Sequence, residues 1–292
     1  MNKKNKKILI ILSSAILLLI ILFFIFNGIY KAVNCFGGKQ NFLIQKVKNP
    51  NMSFNFVKPS AEFLLDYSDK VVYKSPELND PPFSKKENII GRIIGKPGDI
   101  IQIKDAKIFI NNKELAEDYD LMFKFRINTN EYTNFTELLK DYDIKIIDSL
   151  NNNKACDILC IKEIVDEISQ LKEVMSVRRI TEPENVLNYN TFPFQIFAWN
   201  QDHFGPTIVP AKDMTLSINR RNIHLYKKII DFYEGHDLYY FGENIEIDEN
   251  LVNEYIVKKN YYFILSDNRF NGKDSRKWGF IPEEYIIGKV IF

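Results

Sequence analysis

Two short runs gather the residue types that could do chemistry. The first is Gly91-Arg92-Ile93-Ile94-Gly95-Lys96-Pro97-Gly98-Asp99. The second is Ser266-Asp267-Asn268-Arg269-Phe270-Asn271-Gly272-Lys273-Asp274-Ser275-Arg276-Lys277-Trp278-Gly279. Their serines and lysines are groups that nucleophilic hydrolysis draws on. Metal chemistry finds no matching pattern: Cys35, Cys156 and Cys160, and His203, His224 and His236, are scattered without ligand spacing. No cofactor motif is present, so none is expected.

The elements that must hold these runs read as strands. Asn41 to Tyr73 is extended in pattern, Lys74 to Lys86 is a Pro-rich charged loop, and Ile89–Ile94 and Ile100–Ile103 are β-rich. Between the last two, Pro97-Gly98 suits the centre of a type II turn. Lys107–Ile110 runs into Asn111-Asn112, a hairpin signal. Past residue 120 the spacing turns helical over Phe135–Lys140 and Ile161–Met175, where Ile161, Ile164, Val165, Ile168, Leu171 and Met175 share one face. Asp157–Cys160 and Ser176–Ile180 read as strands beside that helix. A β-rich stretch resumes at Phe194–Asn200 and Phe204–Pro210, and Asn222–Tyr233 is predicted helical.

The chain has 292 residues and a formal charge of +1, without the positive field of a nucleic-acid binder. From Ile8 to Phe26 no residue is more polar than Ser, long enough to span a hydrocarbon core of roughly 30 Å. Asn27–Cys35 offers no small-residue cleavage site, so the run reads as a retained anchor rather than a signal peptide. Lys3, Lys4, Lys6 and Lys7 precede it and only Lys31 follows closely, which predicts a cytoplasmic N-terminus with the remainder outside.

Together the two runs resemble the motifs of type I signal peptidases, the membrane-bound Ser/Lys proteases of protein export. The insertion and Trp199–Pro206 are similar to the long Bacteroidetes-type form, and the likeness covers residues 8–115 and 190–292. It implies a mainly β fold: an antiparallel β-domain with an N-terminal transmembrane helix and a small α/β insertion. The expected parts are 1–30 (tip and anchor), 31–119 and 186–292 (the two portions of the β-domain) and 120–185 (the insertion). The scaffold positions Arg92, Pro97, Gly98, Asp99, Asp267, Asn268, Arg269, Asp274, Ser275, Arg276, Trp278 and Gly279 match the family, and among them Asp274 and Arg276 are expected to form a structural ion pair.

The positions that do the family's chemistry do not match. In the family a serine is the nucleophile and a neutral, buried lysine takes its proton. Here Gly91 stands where the lysine belongs. Aligning Met52 with the family's Ser-Met box puts Asn51 at the nucleophile and Asn49 at the upstream supporting position. Gly272 replaces the serine that supports the lysine. Ser53 is the nearest substitute hydroxyl, while Lys85, Lys86 and Lys96 lie in polar or turn context and read as solvated side chains. The resemblance therefore implies a membrane protein of signal-peptide processing on the outer side of a bacterial inner membrane. It would be a non-catalytic homologue that binds exported precursors or assists an active peptidase or the translocation machinery; an active peptidase with relocated residues is the alternative.

Overall fold

The computed structural model describes residues 44–49, 52–57, 65–77, 82–142, 144–194 and 196–291. The apolar run Ile8–Phe26 and Asn51 lie outside them. Among the described residues no helix is long and apolar enough to cross a membrane.

The strands in chain order are β1 Ile44–Asn49, β2 Met52–Val57, β3 Lys70–Lys74, β4 Asn88–Gly95, β5 Ile100–Lys104, β6 Lys107–Ile110, β7 Lys113–Glu114, β8 Phe123–Thr129, β9 Lys145–Leu150, β10 Ala155–Cys160 and β11 Val174–Arg179. There follow β12 Phe204–Ile208, β13 Thr215–Ser217, β14 Leu238–Phe241, β15 Asn244–Ile247, β16 Asn250–Leu251, β17 Glu254–Ile256, β18 Tyr261–Leu265, β19 Ile281–Pro282 and β20 Ile286–Ile291. The protein is mainly β.

A seven-stranded sheet in the order β1-β2-β20-β3-β4-β18-β19 carries both motif runs. Its inner strands are apolar on both faces: Val71, Val72 and Tyr73 of β3 and all of β18 are buried, as expected of strands covered on both sides. Packed with it is the sheet β12-β5-β6-β7, where Ile101 pairs with Ile110 and Ile103 with Ile108. Asn111 and Asn112 both have positive φ, the conformation of a type I′ turn, as the dipeptide predicted. These two sheets share one large core with Phe204, Phe280 and Trp278.

A second cluster belongs to the segment between β7 and β12. The sheet β11-β8-β10-β9 packs Phe125, Ile127 and Ile158 against the helices Phe135–Leu138 and Lys162–Ile168. Here the predicted helix over Ile161–Met175 is corrected. It stops at Ile168, and Val174–Arg179 pairs along β8, which leaves Met175 exposed. Helical spacing persists past Ile168, but a free strand edge satisfies the backbone of Val174 and Val177 better than a helix with no side-chain N-cap at Ile161.

The predicted strand over Phe194–Asn200 is also corrected, because none of its described residues lies in a strand. The side chain of Asn200, fully buried, donates to the carbonyls of Pro183 and Val186 and accepts from the amides of Asp202 and His203. One side-chain amide thus ties the backbone at Pro183 and Val186 to that at Asp202 and His203. The predicted helix near 222–233 exists as Ile223–Lys227 continuing into π-helical turns over Lys228–Tyr233.

Candidate functional site

The site is built where β4 lies between β3 and β18. Arg92 pairs with Lys70 on one side and Leu265 on the other, so its guanidinium meets the loop that leaves β18. Nε donates to Asp267 Oδ1 at 2.6 Å, Nη2 to Oδ2 at 3.2 Å and Nη1 to the Ser68 carbonyl at 3.0 Å. The guanidinium also lies over the Tyr119 ring, 3.8 Å from its centroid. Lys70 Nζ is 3.0 Å from the same carboxylate. A bidentate fork with a second cation fixes the start of the loop in direction as well as distance.

The rest of the loop is held by the Asp274–Arg276 pair, which the sequence predicted. Arg276 Nη2 donates to Asp274 Oδ2 at 2.7 Å and Nε to Oδ1 at 3.1 Å, while Nη1 reaches the Arg269 carbonyl at 2.9 Å. Asp274 also accepts from the amides of Ser266 and Arg276, capping the helix Ser275–Trp278. Ser275 Oγ accepts from the amide of Ile264 at 2.9 Å. The pair is shut away from water, so losing one partner would strand a buried charge. At the other motif, Asp99 accepts from the Lys96 amide, the Tyr67 hydroxyl and the Asn111 amide, and Gly98 takes the positive φ that the turn requires. Burial, then this carboxylate, pushes the Tyr67 phenol up to about 12.

Gly91 itself sits opposite Val71 in a closed wall. A Cβ there would stand 2.6 Å from Ile264 Cγ2, 3.0 Å from the Leu265 carbonyl oxygen and 3.3 Å from Tyr73 Cε1. Ile264 and Tyr73 are both fully buried, so neither can give way cheaply. Gly272 is as tight: its Cβ would meet Ser266 Cβ at 2.3 Å and the Asn268 carbonyl at 2.5 Å. Gly91 and Gly272 therefore pack against the neighbouring residues Leu265 and Ser266.

The other predicted positions lie elsewhere or outside the described residues. Asn51 lies outside them. Asn49 and Ser53 are on the β1–β2 hairpin, and β20 and β3 stand between that hairpin and β4. The residue in register with Gly91 is Val57, through Lys289 and Val71. Lys85 is exposed, and Lys96 Nζ binds Asp66 at 3.0 Å. Lys86 departs from the sequence reading: it is buried, with Nζ donating to the Glu77 carbonyl at 2.8 Å.

Sequence reasoning missed Lys70, Glu117 and Tyr119, which complete the clamp on Asp267 and Arg269, and Lys228. Glu117 pairs with Arg269. Lys228 donates to the Pro76 carbonyl at 2.7 Å, and burial lowers its pKa to about 8. Only its place beside Ile229 and Ile230 in the predicted helix hinted at burial.

The profile of the family described as "Signal peptidase, peptidase S26" matches residues 5–146 and 205–292, and the chain belongs to that family. A signal peptidase I of Buchnera aphidicola from Baizongia pistaciae is 45% identical over 73 residues, 24% of this chain and 20% of that protein. A signal peptidase I of Aquifex aeolicus is 53% identical over 36 residues, 12% of this chain and 14% of that one. The matches thus span a fifth or less of these relatives. A crystal structure of a signal peptidase I from Enterococcus faecalis is 15% identical, with coverage of 78% of this chain and 96% of that one and a TM-score of 0.28, too low to carry an argument.

Proposed function

We propose that this chain is a membrane-anchored signal peptidase I-like protein that keeps the family scaffold without its proton-transfer chemistry. It would serve signal-peptide processing by binding exported precursors or by assisting an active peptidase or the translocation machinery. Its anchor would be Ile8–Phe26, with the N-terminus in the cytoplasm and the main domain outside.

The observation that carries this reading is Gly91. The arginine, the turn and the Asp267 clamp around it are intact, yet the position that the resemblance assigns to the general base has no side chain. Its space is filled by Ile264 and Tyr73. A glycine takes no proton, and a hydroxyl with no base nearby is a poor nucleophile at neutral pH. Asn51 at the nucleophile position belongs to the same reading.

The register gives the alternative, an active peptidase with relocated groups, a specific place to look. Val57 lines up with Gly91 through Lys289 and Val71, and the sequence carries Ser60 three residues further on. The test uses the purified full chain in detergent with a precursor that an intact family member processes. The expected result is no cleavage, with a fluorescent signal peptide still bound by anisotropy. A product that disappears on Ser53→Ala or Ser60→Ala would establish the active reading. Absence of both cleavage and binding would sink the precursor-binding role.

A further inference from the structure

The insertion meets the signature loop through main-chain bonds: the Met122 amide donates to the Asp267 carbonyl, and the Arg269 amide to Met122. Beside this junction is a cavity of about 380 Å³, bounded by Phe123 and Arg179 of the inserted sheet, Arg269 and Phe270 of the loop, and Gln201 and Asp202. That is the size of a small-ligand pocket rather than of a protein groove.

The charges on its walls are not equally committed. Lys124 is held by Asp157 at 2.9 Å. Glu182 is turned to its own loop, accepting from Asn188 Nδ2 at 2.6 Å and the Gln201 amide at 2.9 Å. Arg269 is buried and paired with Glu117, while its Nε has no hydrogen-bond partner. Of the wall cations, Arg179 is the one held least closely by a carboxylate. Its guanidinium lies over Phe123, 3.4 Å from the ring centroid, and its ion-pair partner Asp202 stands 3.9 Å away, too far for a hydrogen bond. Partial burial lowers its pKa to about 10, while 29% of the side chain stays open to solvent.

A guanidinium carries a fork of donors matched to a planar two-oxygen anion. Phe123 and Phe270 offer apolar surface beside that fork. We propose that this cavity binds a carboxylate flanked by an apolar group, the chemistry of a free peptide C-terminus, with Arg179 as its anchor and the side-chain amide of Gln201 as a second donor. This goes beyond the proposed function and does not depend on whether the chain cleaves precursors.

The test is a titration of the full chain in detergent with N-acetylphenylalanine, followed by calorimetry and thermal shift. N-acetylphenylalaninamide, N-acetylglutamate α-amide and inorganic phosphate are the comparison probes. Saturable binding of the acid with none of the amide is expected, and Arg179→Gln should weaken it about tenfold or more, as for loss of a charged hydrogen-bond pair. Arg179→Lys keeps the charge and removes the fork, so it should weaken binding in a protein whose circular dichroism is unchanged. Binding of the glutamate derivative alone would keep the carboxylate chemistry and assign it to an acidic side chain. Equal binding of acid and amide, binding of phosphate alone, or no binding at all would each overturn the proposal.

Discussion

Gly91 and Gly98 are both glycines in the same motif, for different physical reasons. Gly98 has φ +91° and open space around it, so the turn selects it for conformation. At Gly91 the backbone makes no such demand, and the constraint is the filled volume between Ile264, Leu265 and Tyr73. Gly91→Ala should therefore destabilise the protein by about 1–3 kcal/mol, the usual cost of overpacking a rigid core. Chemical denaturation of the two proteins measures it directly. A variant as stable as the wild type would mean that the wall opens, and the argument from closed space would fail with it.

At the scale of the element, the inserted sheet holds a carboxylate whose pKa its cationic partners lower. Asp157 lies buried on β10. Arg126 donates to it at 2.6 and 2.9 Å, and Lys124 Nζ stands 2.9 Å away. The Arg126 hydrogen bonds hold its pKa below the usual 3.8, against the opposing effect of burial. A depressed folded pKa contributes stability that is present above the unfolded value and lost as pH falls through the folded one. Asp157→Asn should thus cost about 1–3 kcal/mol at neutral pH, the range for hydrogen bonds to charged groups. The variant should also lose less further stability than the wild type between about pH 4 and pH 2. Equal acid sensitivity of the two proteins would show that this pair does not titrate on unfolding.

For the whole molecule, the expected arrangement is one N-terminal span with all the described strands on its outer side. The lysines before Ile8 and the apolar run carry that expectation. Protease added to intact spheroplasts should degrade the part after residue 30, and its protection would refute the topology. The two apolar clusters suggest where cleavage would be resisted longest. The larger cluster joins two sheets around β18, while another closes the inserted sheet, which meets the signature loop at Met122.

The sequence alone determined the features set by local chemistry. The Pro97-Gly98 turn, the Asn111-Asn112 hairpin, the β character of the flanking runs and the Asp274–Arg276 pair all depend on residues near one another in the chain. The family and the missing side chain at Gly91 were legible for the same reason, since a motif is a local string. Tertiary structure decided what depends on partners far away in sequence. Val174–Arg179 became a strand because the β8 edge was free, and Asn200 came to bond the distant carbonyls of Pro183 and Val186. Lys86 is buried with its ammonium on the Glu77 carbonyl, nine residues back in the chain. Strand register, too, is fixed by β20 arriving from the chain's end between β2 and β3, and so Val57 rather than the Asn49–Ser53 region lies in line with Gly91. No local pattern encodes that pairing, because a strand's neighbours are chosen by the whole sheet's burial and hydrogen bonding.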